Sequence, residues 1–460
     1  MATGSGALAN QFDPHGFRTF HFVSRSLDRH GNVELSYALD EMTFTESFAL
    51  PVHGSDDFRG DKPPDQAHIS ALLALLHWVV GVSYYKTAVP DVVRTEPDLP
   101  APATAALLEA LYSEGLGEFA YRNALDSLPR PQFPARALRP SGASATATPR
   151  RLLVPIGGGK DSVVAVEIIR KSGLDFALFS IGDAVPIART AEVAGDPWLV
   201  ARRQLDDGLA TLNRAGALNG HVPVTAIVSS AALLTAALNG FDGVAMANER
   251  SASTGNLQWD GVDVNHQFSK GLRVERLVRS ALAEIAPGLE YFSVLRPASE
   301  LAIARAFARL PAYHQAFTSC NTVFRLDPLL RGQSWCGDCP KCRFVFLALA
   351  PFSEPNHLAG VFGVDLLDDE AQFDGFALLA ASGGHKPFEC VGEEEESLAA
   401  IRLLAADPRW REHRVVRRLV AEVLPQYPRT AGDPEHVLTL SDDHHVPPPL
   451  LPAVNAVLGA

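Results

Sequence analysis

The pattern of apolar and polar positions changes character along the 460-residue chain. Positions 19–24 and 32–37 roughly alternate, and the run Asp28-Arg29-His30-Gly31 between them predicts a β-hairpin. Apolar residues recur at helical spacing over 65–80, and a further helix is expected over 103–115. Residues 1–128 are therefore predicted to form an N-terminal α+β module.

A proline-rich segment follows this module. Residues 129–149 contain five prolines and a run of small polar side chains, a composition that buries little surface and predicts a linker. Beyond it, short apolar runs at 152–156, 176–181 and 243–247 alternate with helical segments. This alternation predicts an α/β domain over 150–352, in which helices cover both faces of a parallel sheet.

The C-terminal segment, 353–460, has a less regular pattern. Helices are expected at about 394–405 and 410–424, and the segment as a whole is predicted to be helical. The proline-rich tail is expected to be loosely ordered.

Composition and charge narrow the class of protein. Lys and Arg total 40 against 53 Asp and Glu, a net charge of −13, which argues against nucleic acid as the main partner because phosphate binding needs positive charge. The first ten residues lack the basic and apolar regions of a signal peptide. Apolar runs such as 344–351 are too short to span a bilayer. These features predict a cytoplasmic protein with no membrane partner.

A glycine-rich loop supplies the clearest candidate chemistry. It lies between a predicted strand and a predicted helix and consists of Gly157, Gly158, Gly159, Lys160, Asp161 and Ser162. Glycines let backbone N–H groups approach a phosphate, and a helix start adds free donors and partial positive charge. A lysine can add a mobile cation, and an aspartate can hold Mg²⁺. The loop therefore predicts a nucleotide site.

The loop is not a Walker A motif, because Lys160 is followed by Asp161 and not by Ser or Thr. It resembles the Ser-Gly-Gly-x-Asp-Ser loop of the PP-loop ATP pyrophosphatases, with Gly157 in place of the first Ser. That resemblance implies a HUP-like α/β fold and ATP as the nucleotide. It also implies that the end of the next strand, including Ser180 and Gly182, lies near the adenine.

Four of the five cysteines fall within a short stretch. Cys320, Cys336, Cys339 and Cys342 have the spacing of four thiolate ligands, and tetrahedral Zn²⁺ takes four. An iron–sulfur cluster could use the same ligands, and four free cysteines in a reducing cell are the third reading. We predict a structural zinc site.

Eight further stretches, taken with the glycine-rich loop, give a more specific resemblance over about residues 18–425. The stretches are Ser83–Lys86, Gly117–Asn123, Asn219–Thr225, Asn248–Ser253, Val264–Gly271, Arg296–Leu301, Trp335–Cys342 and His385–Glu393. Together they resemble the UDP-N-acetylmuramoyl-L-alanyl-L-glutamate epimerase family. The resemblance implies inversion of the terminal L-Glu of UDP-MurNAc-L-Ala-L-Glu to D-Glu, with ATP and Mg²⁺ consumed to give AMP and pyrophosphate.

Such an epimerisation needs activation of the carboxylate and groups that move a proton on either face of the α-carbon. The predicted catalytic residues are Lys160, Asp161, Glu249, His266 and Cys390, and the predicted substrate contacts are Tyr84, Tyr85, Lys86, His221, Arg250, Lys270 and Arg296. Arginines suit a carboxylate or a diphosphate, and tyrosines suit a sugar or a base. His385 is a further candidate base, and the sequence does not single out one.

Two other functions stay open at this point. Another adenylating enzyme, either an amide or nitrile synthase or a tRNA thiolase, could carry the same loop. A nucleotide sensor without catalysis could also carry it. The presence of both Asp161 and Ser162 favours catalysis.

Overall fold

The computed structural model describes residues 12–52, 65–95, 98–136, 149–324, 331–332, 334–380 and 387–459. The strands in these residues are β1 (Thr19–Leu27), β2 (Asn32–Leu39), β3 (Met42–Ala49), β4 (Val92–Arg94), β5 (Arg151–Pro155), β6 (Asp175–Ile181), β7 (Trp198–Gln204), β8 (Gly243–Met246), β9 (Leu257–Trp259), β10 (Val262–Val264) and β11 (Glu290–Ser293).

Helices fill most of the connections between these strands. The first ten are α1 (Gln66–Val80), α2 (Val82–Tyr85), α3 (Pro102–Tyr112), α4 (Gly117–Arg122), α5 (Lys160–Ser172), α6 (Val185–Ala194), α7 (Asp207–Arg214), α8 (Val224–Leu238), α9 (Leu272–Ile285) and α10 (Glu300–Ala308). The later ones are α11 (Pro340–Leu349), α12 (Pro355–Phe362), α13 (Phe373–Leu379), α14 (Glu394–Ala406), α15 (Arg414–Arg418), α16 (Pro434–Leu438) and α17 (Leu451–Leu458).

Nine strands form one sheet, in the order β11-β8-β5-β6-β7-β3-β2-β1-β4. The five strands from β11 to β7 are parallel. Strand β3 then pairs antiparallel with β7, and β2 and β1 continue as an antiparallel meander. The strands of the predicted N-terminal module thus extend the sheet of the predicted α/β domain, so the two segments share one sheet. The predicted α/β class with a mostly parallel sheet is confirmed.

The core lies on both faces of this sheet because side chains alternate along each strand. In β5, Leu152 and Val154 pack on the face covered by α5 and the C-terminal helices, and Leu153 packs on the face covered by α1 and α8. Helix α5 is amphipathic in sequence yet almost wholly buried, since α10 and α17 pack against it. It ends at Gly173, whose φ of 74° suits a residue without Cβ.

Most of the regular elements expected from the sequence are present. The hairpin is β1–β2, and the expected helices at 65–80, 103–115 and 394–405 correspond to α1, α3 and α14. The expectation of a loosely ordered tail is wrong: Leu450, Val454 and Leu458 are buried, and α17 packs on α5. Of the predicted linker, residues 137–148 lie outside the described part of the chain, and Phe133 packs in the core.

One described stretch, Gln66–Tyr85, is long and apolar enough to cross a membrane by length and composition alone. It comprises α1 and α2, and 78% of the relevant window is buried inside the protein. The apolar side chains of this stretch are therefore used in the core against α8 and the sheet.

Candidate active site

The glycine-rich loop lies at the carboxyl end of β5, where the chain connections diverge. After β5 the chain crosses to β6 on one side, and β8 and β11 follow on the other side. In open α/β sheets such a reversal leaves a crevice at the strand ends in which ligands bind. The loop, residues 156–159, runs into α5 at Lys160. The predicted nucleotide loop therefore lies where this class of sheet forms its binding crevice.

The three glycines have different surroundings. A Cβ on Gly157 would meet no atom of the described residues within 4 Å, whereas one on Gly158, whose φ is +83°, would lie 2.8 Å from the carbonyl carbon of Pro186. The backbone N–H of Gly157 donates to Ser162 Oγ at 3.1 Å, and Ser162 Oγ donates to the carbonyl of Gly159 at 3.0 Å. Gly157 thus leaves open space, and Gly158 permits a tight turn against the start of α6.

An open cleft of about 320 Å³ adjoins the loop. Apolar side chains line one part, and amide, hydroxyl and amino groups line another. The apolar set includes Phe179, Ile181, Ile187, Val228 and Met246, and the polar set includes Asn248, Lys270, Thr318, Ser319 and Lys341. Ser180 lines the cleft, but its Oγ is bonded to Gly182 O at 2.7 Å and Trp198 Nε1 at 3.0 Å. Gly182 is not among the described lining residues.

Three carboxylates meet beneath the loop. Single oxygens of Asp161, Glu249 and Glu300 all lie within 4.8 Å of one another. The amino group of Lys160 pairs with Asp161 and Glu300. Burial opposes the charge of this lysine, but the two carboxylates outweigh it and raise the pKa of Lys160. Lys160 was predicted to reach a phosphate; its amino group is buried and held by carboxylates instead.

Glu249 and Glu300 differ in the groups that surround their carboxylates. Glu249 is fully buried, and within the described part of the chain neither of its carboxylate oxygens has a hydrogen-bond partner. Burial, together with the charges of Asp161, Glu249 and Glu396, raises the pKa of Glu300 despite its contact with Lys160. Unpartnered buried carboxylate oxygens are costly unless a cation compensates them, so the donor set fits a hard divalent cation such as Mg²⁺. Glu300 was not among the predicted site residues, although it lies in the stretch Arg296–Leu301.

A second cluster brings together three residues that are distant in sequence. Nδ1 of His266 contacts Oε2 of Glu118. Burial opposes the imidazolium, but its interactions with Cys390 and Glu118 outweigh burial and raise the pKa of His266 to about 9. Burial also opposes the thiolate, but Lys270, Lys341 and His266 lower the pKa of Cys390 to about 6. The predicted catalytic pair is thus side by side, and Glu118 is a residue that the sequence prediction missed.

Lys270 links the two clusters. It lines the cleft, and its charge interacts with Cys390 and with the carboxylates of Glu249, Asp161 and Glu300. Burial opposes its charge, yet these anionic groups raise its pKa. Lys270 was predicted as a substrate contact, and its place in the cleft is compatible with that prediction.

His221 belongs to the same neighbourhood. Its ring centroid is 4.3 Å from that of His266, and its Nδ1 is 4.0 Å from Oε2 of Glu118. Burial, followed by the charge of His266, lowers the pKa of His221 to about 4, so it is neutral at pH 7. Candidate base His385 lies outside the described residues.

Three predicted substrate contacts lie elsewhere. Tyr84 and Tyr85 are buried in the N-terminal aromatic core, where Tyr84 stacks on Tyr37 at 4.9 Å and Tyr85 packs on Tyr112 at 5.1 Å. The prediction that they contact the substrate is not supported, because both rings are enclosed by protein. Lys86 is also buried, donates to Asn219 Oδ1 at 2.7 Å, and has a pKa lowered to about 8 by burial.

The two predicted arginine contacts are occupied by protein groups. Arg250 donates to the carbonyls of Thr439 and Val437 at 3.1 and 3.2 Å and so anchors the α16 region. Arg296 is 1% exposed and bonds to Glu275 and to two backbone carbonyls. Neither arginine is among the described residues that line the cleft, so both predictions of substrate contact lack support here.

The cysteine cluster packs behind the loop. Sγ–Sγ distances are 4.0 Å for Cys320–Cys339, 3.7 Å for Cys336–Cys342 and 3.5 Å for Cys339–Cys342. Four ligands at about 2.3 Å from Zn²⁺ stand about 3.8 Å apart at the corners of a tetrahedron, so the four sulfurs fit a zinc ion. The segment preceding Cys320 touches the loop, since the N–H of Thr318 donates to Gly158 O at 2.9 Å.

Comparison with known proteins gives consistent matches over the chain. Residues 11–294 match a family model described as the MurL N-terminal domain, and residues 316–433 match the MurL C-terminal domain. Three similar proteins bear the name UDP-N-acetyl-alpha-D-muramoyl-L-alanyl-L-glutamate epimerase. They come from Micromonospora sp. (46% identical over 95% of this chain and 97% of the relative), Salinispora tropica (48%, over 88% of each) and Xanthomonas oryzae pv. oryzae (42%, over 97% and 98%).

Proposed function

This chain belongs to the UDP-N-acetyl-alpha-D-muramoyl-L-alanyl-L-glutamate epimerase family of isomerases, and from that premise we propose that it inverts the terminal L-Glu of UDP-MurNAc-L-Ala-L-Glu to D-Glu at the expense of ATP. The names of its relatives support the substrate and the epimerisation. The use of ATP rests on the site itself. One observation carries it: Lys270 lines the cleft beside the phosphate-type loop, and its charge interacts both with the three carboxylates and with Cys390.

The chemistry of the substrate explains why an activating site should stand beside a proton-transfer site. Removing the α-proton of a carboxylate places a carbanion next to an existing anion. The nitrogen of this Glu is acylated by Ala, so no Schiff base can delocalise the charge. Adenylation of the α-carboxylate removes its negative charge and makes the α-proton far more acidic. Deprotonation, reprotonation on the opposite face and hydrolysis would then give D-Glu, AMP and pyrophosphate.

The loop and the carboxylates suit the first half of that sequence. Gly157 and the start of α5 offer space and backbone donors for phosphate oxygens. Asp161, Glu249 and Glu300 would hold Mg²⁺, which neutralises developing charge on transferring phosphates when it is bound. The apolar wall formed by Phe179, Ile181 and neighbouring residues suits an adenine ring.

The second cluster suits the proton transfers. Cys390, His266 and Lys270 all carry ionisable groups near the cleft, and their charged forms stabilise one another. Epimerisation needs an acceptor and a donor poised around one carbon. We assign these tasks to this group, and we place the activity in the cytoplasmic synthesis of peptidoglycan precursors because the substrate is a nucleotide-linked precursor.

The test incubates the protein with ATP, Mg²⁺ and UDP-MurNAc-L-Ala-L-Glu in D₂O. AMP release, α-deuterium in the product and the D/L ratio of Glu after hydrolysis are measured together. We expect all three in the wild type and none in Asp161→Ala. Val420→Ala changes an exposed side chain on the C-terminal segment and serves as the matched control.

The outcomes separate this proposal from its alternatives. AMP release without deuterium uptake or D-Glu would contradict epimerisation and favour another adenylating enzyme. Product formation that depends on ammonia would favour an amide or nitrile synthase, and RNA binding that weakens steeply with salt would favour a tRNA thiolase. ATP binding without any AMP would favour a nucleotide sensor.

A further inference from the structure

Glu118, His266 and Cys390 form a chain of carboxylate, imidazole and thiol. Each comes from a different part of the fold: α4, the loop after β10, and the loop before α14. The backbone holds this arrangement, because His266 N donates to Asn256 Oδ1 at 2.9 Å and Asn256 Nδ2 donates to Pro387 O at 2.8 Å. A single asparagine therefore fixes the histidine segment against the cysteine segment.

This arrangement is the one that activates a nucleophile. A thiol beside an imidazole, with the imidazole oriented by a third group, is the recurring signature of covalent catalysis. The thiolate is the reactive form, and nearby cations populate it. Gln267 Nε2 donates to Val391 O at 3.4 Å, so the residues next to His266 and next to Cys390 are bonded to each other. The charges of Lys270, Lys341 and His266 all favour the Cys390 thiolate.

The position of Cys390 relative to the activating site decides what the thiolate can attack. Lys270 lines the cleft beside the phosphate loop, and its charge interacts both with Cys390 and with the three carboxylates. An acyl group activated at that loop would present its carbonyl near Lys270. A thiolate attacks an activated acyl carbon more readily than it removes a proton from carbon.

We propose that Cys390 takes the activated glutamyl group as a thioester, and that the α-carbon is inverted while the substrate is bound to the enzyme. The proposal rests on the proposed function, since it needs the acyl-adenylate as its electrophile. It assigns to Cys390 the role of nucleophile and to His266 and Glu118 the roles of its activating and positioning partners.

The reaction needs only the acyl-adenylate, the enzyme and water. The thiolate forms an S–C bond to the α-carboxyl carbon, the C–O bond to the phosphate breaks, and AMP leaves with the electron pair. The α-proton of the thioester passes to an enzyme base, and a proton returns on the opposite face. Water then adds to the thioester carbonyl and the C–S bond breaks, which restores the thiolate and leaves the free carboxylate. The two protons of that water pass to a neighbouring base and to solvent. Lys270 is available to stabilise the enolate oxygen.

The experiment looks for the covalent intermediate and for adenylation separately. The full-length protein is mixed at 4 °C with ATP, Mg²⁺ and substrate carrying ¹⁴C in the Glu residue, and is quenched with acid from milliseconds to seconds. Protein-bound label is counted before and after neutral hydroxylamine, and the labelled peptide is identified by mass. Substrate-dependent exchange of labelled pyrophosphate into ATP reports adenylation. We expect hydroxylamine-labile label on Cys390 in the wild type and in Val420→Ala.

Cys390→Ala should carry no label, lose D-Glu formation, and keep pyrophosphate exchange within about threefold of the wild type. Exchange and turnover in the wild type with no protein-bound label at any time would overturn the thioester, as would equal label in Cys390→Ala. Failure of exchange in the wild type would instead overturn the proposed function, and the thioester with it. If Cys390→Ala were to lose exchange as well, the labelled wild-type peptide would distinguish the two cases. Label on Cys390 would support the thioester, and label on another residue would overturn it.

Discussion

Nη1 of Arg296 donates a 2.5 Å hydrogen bond to the main-chain oxygen of Glu249, and by this contact a fully enclosed guanidinium holds the backbone of a residue of the candidate site. Its Nη2 donates to the main-chain oxygen of Lys270, also at 2.5 Å. The same guanidinium pairs with Glu275, which is equally buried. Arg296 is therefore a positioning residue that clamps the two segments from which Glu249 and Lys270 enter the site.

Arg296→Met should lower the free energy of unfolding by about 3–5 kcal/mol, because it leaves the Glu275 carboxylate buried without a partner. Two backbone carbonyls lose their donors as well. The double variant Arg296→Met/Glu275→Leu should recover part of that loss, since it removes the uncompensated charge. Urea denaturation followed by circular dichroism measures both. A single variant within about 1 kcal/mol of the wild type would contradict the clamp.

The glycines of the loop allow a matched series. Gly157→Ala adds a methyl group in open space and should leave stability within about 0.5 kcal/mol of the wild type. Its ATP affinity should nevertheless fall, because the methyl group occupies space that a phosphate would use. Gly158→Ala places Cβ 2.8 Å from Pro186 at a φ of +83° and should destabilise the fold by about 2–4 kcal/mol.

Gly173→Ala is the control for this series. It has a φ of +74° but no atom within 4 Å of the added Cβ, so it isolates backbone strain, which costs about 1 kcal/mol. Thermal unfolding measures the stability of the three glycine variants, and calorimetric titration measures their affinity for ATP. If Gly157→Ala bound ATP as tightly as the wild type, the loop would not be the phosphate site.

The parts of the site that are local in sequence could be predicted from it. The strand, the glycines and the start of α5 are neighbours along the chain, so residue type and spacing identify them. The carboxylate cluster could be predicted only in part. Asp161 belongs to the loop, but Glu300 begins a helix far along the chain and reaches Asp161 only through the packing of α10 on α5.

Glu118 illustrates why the second cluster was only half predicted. It lies on α4, and only tertiary packing brings α4 against the loop after β10.

Tyr84 and Tyr85 illustrate the opposite error, in which core residues were predicted to contact the substrate. Aromatic residues at the end of a helix suit a ligand or a core equally well, and their side chains point into the N-terminal core because α2 continues α1. The periodicity of apolar residues identifies the buried face of a helix, but it does not show which other element packs against that face.

The cysteine cluster is predicted to hold about one zinc ion per chain, since its sulfurs stand at tetrahedral spacing. Elemental analysis of the purified protein measures it. Cys339→Ser should lower the zinc content and, because Thr318 bonds to Gly158, should also weaken ATP binding. Visible absorption from iron–sulfur charge transfer, or a metal-free protein of unchanged stability, would contradict the zinc prediction.

Cys390 should react with iodoacetamide as a thiolate well below the usual range for cysteine. Its pKa is lowered to about 6, so the rate should rise through pH 6 and level off by about pH 7.5, whereas an ordinary cysteine rises through about pH 8.5. The cations that face it are His266, Lys270 and Lys341. Alkylation is followed by peptide mass, which separates Cys390 from the cluster cysteines.

The charge of His266 can be removed while a hydrogen bond is kept. Lowering the pKa means that the thiolate persists down to pH 6, and losing a neighbouring cation must move that midpoint upward. His266→Gln should therefore raise the alkylation midpoint of Cys390, and Lys270→Met should do the same from the other side. Val420→Ala should leave it unchanged. A wild-type midpoint near pH 8.5, or a midpoint insensitive to both substitutions, would show that these cations do not activate the thiol.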